Sequence, residues 1–190
     1  MVPLEKMTVG TAPAEFEFAR TGQGAPGQWI VVEDPTAASK RAIEQSSADR
    51  TDYRFPLAVY RPVVAQNVEV AIRFKPMAGR VDQAGGIAVR VTSPDDYYLV
   101  RANALEDNVR FYRIVKGRRQ QLATADVKVA SGQWHTLGLK AENHRFTVSF
   151  DGKTLHSTGD RTLPGPGRVA LWTKSDSVTR FDQINIQVLR

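Results

Sequence analysis

The sequence predicts an all-β protein built as two antiparallel sheets packed face to face, with little helix. Three observations carry this. Short runs alternate apolar and polar residues with a period of two, clearest in Asn67–Lys75, where Val68, Val70, Ile72 and Phe74 oppose Glu69, Ala71, Arg73 and Lys75. Turn-forming clusters punctuate these runs at regular spacing, among them Ser93-Pro94-Asp95-Asp96, Glu106-Asp107-Asn108 and Asp151-Gly152. No segment sustains a helical period, and more than ten short strands separated by turns are the signature of a sandwich.

Taken in order, Phe16 and Phe18 alternate with Glu15 and Glu17 as a first short strand, and the Gly22–Gly27 loop follows. Gln28–Glu33 reads as a strand, Asp34–Lys40 as a loop and Ala42–Ser46 as another short strand. Pro56 within Tyr53–Tyr60 argues for an edge position, because proline donates nothing to a ladder. Asn67–Lys75 is expected to be a central strand. Three runs then form a meander: Ile87–Thr92, Tyr97–Asn103 and Val109–Val115. Gly85-Gly86 before it lets the sheet bend or lets a ligand approach the backbone. Gln120–Thr124 is a short polar strand. Gln133–Lys140 and Arg145–Phe150 follow, and Asp151-Gly152 turns into the return strand Lys153–Ser157, since glycine supplies a positive φ. Leu163–Gly167 is a loop, and Arg168–Thr173 and Phe181–Val188 close the chain as strands.

In the meander, alternation puts Ile87, Val89, Val91, Tyr98, Val100, Ala102, Val109 and Phe111 on one face, a core layer. The other face collects Arg90, Arg101, Asn103, Arg110 and Tyr112. Those five residues are the candidate ligand site. Guanidinium groups match carboxylate or sulfate bidentately, and tyrosine stacks on a sugar ring. The competing reading is a solvated face paired with Glu106, Asp107 or Asp96. Closure of the second hairpin places Arg101 opposite Tyr112 or, one residue tighter on each side, keeps the same faces.

With 190 residues, 42% of them hydrophobic, the chain is long enough for one sizeable core, so residues 1–190 read as a single domain. There is no cysteine, which excludes disulfides and thiolate chemistry. The formal charge of +6 permits an acidic partner without requiring one. The arginines are dispersed among acids and no nucleic-acid reader motif is present, so no nucleic-acid partner is expected. No run reaches the roughly 20 apolar residues that a spanning helix needs. Met1–Gly10 lacks the basic-then-apolar pattern of a leader. Nothing in the sequence assigns an oligomeric state.

Among single residues, His135 is in phase with Leu137 and Leu139 and is expected to be a hydrogen-bonded structural residue. His144 and His156 have no partners in sequence. Trp29, Trp134 and Trp172 read as core residues, with Trp29 close enough to a loop to serve instead as a sugar platform. Three scattered histidines give a transition metal little support.

The ordered set GQWHTLGLK, RFTVSFDGK and GRVALWTKSDSVTRFDQI resembles the second half of concanavalin A-like lectin/glucanase jelly rolls, particularly the laminin G-like and 3-keto-disaccharide hydrolase-like branches. The resemblance covers roughly Asn67 to Arg190. It implies a jelly-roll sandwich whose concave face binds a saccharide, with export to the periplasm or cell exterior, and the start at Met1 does not separate a native start from one that follows a removed leader. It also leaves open a calcium ion between the sheets, for which Asp182 is the matching position; no other cofactor is expected. The Glu-x-Asp-x-x-Glu strand of laminarinase-type hydrolases is absent. Gln133-Trp134-His135 has the spacing of the alginate-lyase Gln-x-His strand but no Tyr-rich partner strand. No catalytic residue is assigned. The expectation is a non-catalytic glycan-binding domain, with two alternatives: a glycoside-acting enzyme drawing its acids from Asp95, Asp96, Glu106 and Asp107, or a structural or protein-interaction module.

Overall fold

The computed structural model describes all 190 residues as fourteen strands and one short 3₁₀ turn, Leu4–Lys6. The strands are β1 Phe16–Gly22, β2 Trp29–Glu33, β3 Arg41–Gln45, β4 Arg54–Ala65, β5 Val68–Ala78, β6 Ala84–Ser93 and β7 Asp96–Asn103. They continue as β8 Asn108–Val115, β9 Arg118–Asp126, β10 His135–Glu142, β11 Arg145–Phe150, β12 Lys153–Gly159, β13 Gly167–Trp172 and β14 Val178–Val188. Two seven-stranded antiparallel sheets result, one in the order β1-β4-β13-β6-β7-β8-β9 and the other β12-β11-β10-β5-β14-β3-β2. No helix is long and apolar enough to cross a membrane.

The expected central strand is β5, hydrogen-bonded to β10 on one side and β14 on the other. Its Val68, Val70, Ile72 and Phe74 point into the layer between the sheets, where they meet Ile87, Val89, Tyr98, Val100 and Phe111 from the first sheet. Each fully buried large apolar side chain in that layer contributes roughly 1.5–3 kcal/mol. Gly85 keeps this packing close, because a Cβ there would stand 2.8 Å from the Phe74 ring. At the Asp151-Gly152 turn both residues take positive φ, 46° and 78°, as a two-residue hairpin requires.

Two expectations fail. Pro56 does not mark an edge: β4 pairs with β1 and β13 on its two sides. Pro56 is tolerated because it lies opposite Thr173, the first residue past the end of β13. The β13 ladder stops at Trp172 opposite Leu57, and the Pro56 carbonyl accepts from the following Thr173 N–H at 3.1 Å. Trp134 is not a core residue. It precedes β10 on the outer surface of the second sheet, donates from Nε1 to Thr36 Oγ1 at 2.8 Å, and carries Arg73 and Lys75 over its ring at 4.8 and 4.9 Å. Trp29 and Trp172 are buried as expected, Trp29 against Phe181.

The outer face of the first sheet is not an open trough. It carries its own apolar cluster, including Phe55, Leu57, Tyr97, Leu99, Tyr112 and Trp172, all buried. β4 and β9 are five strand positions apart, which is roughly 24 Å in a flat sheet. Yet the Arg119 guanidinium lies 5.3 Å from the Phe55 ring, and the Tyr53 hydroxyl donates to Gly117 O at 2.8 Å and accepts from Arg119 N–H at 3.0 Å. Twist and coiling therefore bring opposite corners of the sheet together, which covers the middle of its outer face with hydrocarbon and aromatic surface.

Candidate functional site

The hairpin is shifted from the register that sets Arg101 opposite Tyr112, and the expected faces are kept. Arg101 on β7 lies opposite Arg110 on β8, Asn103 opposite Asn108 and Leu99 opposite Tyr112. Arg101 also faces Gly86, and Gly86 faces Trp172 on β13. Four of the five expected residues, Arg101, Asn103, Arg110 and Tyr112, thus share the outer face of the first sheet, near the turn that joins β7 to β8.

That turn returns an acidic side chain onto the face. Glu106 Oε2 accepts from Arg101 Nη2 at 2.7 Å and Asn108 Nδ2 at 3.2 Å, and lies 3.3 Å from Arg110 Nη1. Arg101 also donates to Asn108 Oδ1 and, at 3.4 Å, to the Tyr112 hydroxyl. Burial alone would raise the Glu106 carboxyl, but the charge and hydrogen bonds of Arg101, with Asn108 and Arg110, bring it below its ordinary value. Hydrogen bonding to Tyr112 and the charge of Glu106 hold the Arg110 guanidinium above its own.

The members differ in access. Arg101 is 2% exposed and works from beneath, whereas the side chains of Glu106 and Arg110 are 37% and 34% exposed. What faces solvent is a carboxylate edge beside a guanidinium edge, fixed from below by Arg101 and Asn108. Asn103 belongs to an adjoining string: its Nδ2 donates to Asp82 Oδ1 at 2.7 Å, Asp82 pairs with Lys174 at 2.8 Å, and Lys174 reaches Asp52 at 3.1 Å.

Arg90 is the residue that alternation misplaces. β6 carries a bulge between Val89 and Ser93, and Arg90 takes φ of 52°. The side chain turns to the opposite side of the sheet, over the rings of Phe146 and Tyr98 at 5.1 and 5.9 Å. Val91, expected in the core layer, is turned outward to join Leu99 and Ala88. No strand-periodicity argument detects an extra residue, although Arg90 followed by Val-Thr-Ser-Pro does end the run in turn-forming types.

Asp82 and Lys174 were not singled out from the sequence because both lie in loops, where no period assigns a direction. Glu106 was readable only as a partner or as an acid. The four acids of the enzyme reading do not converge. Asp95 and Asp96 open β7 while Glu106 and Asp107 follow its end, roughly 23 Å away along eight extended residues. Asp107 is held by Lys128 at 2.8 Å and the Val129 N–H at 3.0 Å. Asp182, the position matched to calcium by the resemblance, is fully buried. Its carboxylate accepts from Ala38 N–H at 2.7 Å, stands 3.6 Å from the Arg73 guanidinium, and is raised by burial. His135 is structural as expected, bridging Asp151 at 2.9 Å and Ala130 O at 3.0 Å and stacking on Phe150.

The fold has known counterparts. The carbohydrate-binding module CBM66 from Bacillus subtilis superimposes with a TM-score of 0.69 at 17% identity, over 90% of this chain and 94% of that one. A Bacillus subtilis protein of unknown function with a galectin-like fold gives 0.63 at 8% identity, over 92% and 91%. Sheep galectin-11, determined with glycerol, gives 0.50 at 11% identity, over 69% and 96%. At these identities the likeness is one of fold, a lectin-like jelly roll in keeping with the concanavalin A-like resemblance. No curated protein sequence matches. Residues 59–189, which run from mid-β4 through β14 and include every residue of the Glu106 cluster, match the family model of the galactocerebrosidase C-terminal lectin domain. The chain is a member of that lectin-domain family.

Proposed function

We propose that this β-sandwich is a carbohydrate-binding domain that takes a saccharide at the rim of its rolled sheet, against Glu106 and Arg110. The observation that carries the reading is the exposed edge of that ion pair. Glu106 Oε1 has no protein partner while Oε2 is held by Arg101, and the Arg110 guanidinium stands beside it. Two adjacent sugar hydroxyls meet those needs at once, one donating to the carboxylate and the other accepting from the guanidinium. The fold of CBM66 and the lectin-domain family support a saccharide as the ligand class.

The three-arginine anion grip expected from alternation loses two members. Arg90 faces elsewhere and Arg101 is neutralised by Glu106, so a preference for uronic or sulfated sugars at this rim would rest on Arg110. Arg101 is a positioning residue that acts through Glu106. Export to the periplasm or cell exterior fits a glycan ligand and is part of the same proposal.

A glycan array of neutral, uronic and sulfated saccharides, run with and without calcium, tests the reading. Selective binding that Arg110→Ala weakens by roughly 10- to 150-fold, the equivalent of losing a charge-assisted hydrogen bond of about 1.5–3 kcal/mol, is the expected result. Binding that survives both Arg110→Ala and Glu106→Gln, or silence across the array, refutes this site.

A further inference from the structure

Arg90 leaves the saccharide rim but is placed with unusual care. Its left-handed backbone, φ 52°, is a conformation that a non-glycine residue adopts only at a cost. Gly167 packs so tightly against it that a Cβ there would stand 2.4 Å from the Arg90 carbonyl carbon. The side chain ends at the floor of a cavity of about 250 Å³, which is bounded by Gln66, Asn143 and His144 beside the β10–β11 turn and Asp160 and Arg161 after β12. No lining residue is hydrophobic.

Arg90 is 1% exposed and has no carboxylate partner. Nε donates to Gln66 O at 2.9 Å, Nη1 to Leu163 O at 3.0 Å and Nη2 to Asn143 O. Those carbonyls satisfy three of the five N–H groups of a guanidinium and leave its charge uncompensated. The one acid in the lining, Asp160, is already engaged. It accepts from the Tyr98 hydroxyl at 2.6 Å, Arg113 at 2.6 Å and the Thr162 N–H at 2.8 Å. Glu142, next to the turn, pairs with Lys140 at 3.3 Å. At the mouth, exposed Arg161 lies 3.4 Å from His144 Nε2. The guanidiniums of Arg90 and Arg161 therefore share the cavity lining with one carboxylate, which Arg113 already pairs.

We propose that this cavity is an anion site, separate from the saccharide rim, which takes a sulfate or carboxylate group between Arg161, His144 and the Arg90 charge beneath them. A buried cation without a counter-ion is costly, and an oxyanion in the cavity supplies that counter-ion. The group arrives either as a free ion or as the acidic substituent of a sugar.

The test is an amide NMR titration at constant ionic strength, with chloride as the balancing anion. The probes are inorganic sulfate, galactose 6-sulfate and galactose, on the wild type, Arg161→Glu and Arg110→Ala. Saturable shifts confined to Asn143, His144, Arg161 and Leu163 are expected with sulfate but not with galactose. Arg161→Glu weakens them at least about tenfold, while Arg110→Ala, which belongs to the saccharide rim, leaves them unchanged. Tighter binding of galactose 6-sulfate than of inorganic sulfate assigns the site to an anionic sugar, and equal binding assigns it to a free oxyanion. Absence of saturable shifts with either sulfate, or shifts untouched by Arg161→Glu, overturns the proposal and leaves Arg90 as a clasp for three loops. Arg161 is exposed, so its replacement does not threaten the fold.

Discussion

Replacing Glu106 by glutamine keeps its shape and removes its charge, which isolates what the carboxylate contributes. Beneath it, Arg101 is buried and uses this carboxylate as its counter-ion at 2.7 Å. Breaking a fully buried pair costs about 3–5 kcal/mol because a charge is left unpaired. Glu106 is more than a third exposed, so solvent screens much of that loss, and about 1–2 kcal/mol is the appropriate figure. For a chain of 190 residues, the unfolding entropy of about 0.4 kcal/mol/K turns this into a fall in Tm of roughly 2.5–5 °C. The pH dependence has a definite sign. The folded-state carboxyl lies below its ordinary value of 4.5, so the stabilisation is fully present above that value and is lost as pH falls through the folded-state pKa. Urea unfolding of wild type and Glu106→Gln at neutral pH and along an acid series measures both. Equal stability at neutral pH would refute the ion pair's role, and a gap that persists unchanged into strong acid would show that the carboxylate charge is not its source.

Two further outcomes test other parts of the fold. Gly167→Ala places a methyl against the Arg90 backbone rather than against a movable side chain, so it is expected to destabilise by about 1–3 kcal/mol in urea unfolding; a neutral effect would mean that the bulge is not tightly held. His156 is a half-buried imidazole with neither nitrogen bonded, and burial lowers its pKa from the ordinary 6.5. Its neutral form contributes stability above that value which is lost as pH falls through the folded-state pKa, so His156→Gln is expected to flatten this part of the acid limb, and an unchanged pH profile would contradict it.

Much of the architecture is legible because burial on one face leaves a period of two in the residues. β5 shows it in Val68, Val70, Ile72 and Phe74, and the Asp151-Gly152 turn is readable because few residue pairs accept two positive φ angles. The same period placed Arg101, Asn103, Arg110 and Tyr112 on one face correctly. It failed at Arg90, because one extra residue reverses every later side chain and an inserted residue has no composition of its own. It also failed at Pro56, where the end of β13, not the chemistry of β4, decides whether a missing N–H matters.

By itself the sequence determined the two-sheet class, the strand order along the chain, the central strand and most of the polar face, since these follow from alternation and turn chemistry within a few residues of one another. Only the tertiary structure decided that the outer face of the first sheet is closed by Tyr53, Phe55 and Arg119, that Glu106 converts two arginines into a carboxylate–guanidinium rim, and that Arg90 belongs to a different cavity. These features depend on the accumulated twist of seven strands and on where loops return across the sheet. Both are sums over residues far apart in the chain, and no local pattern records them.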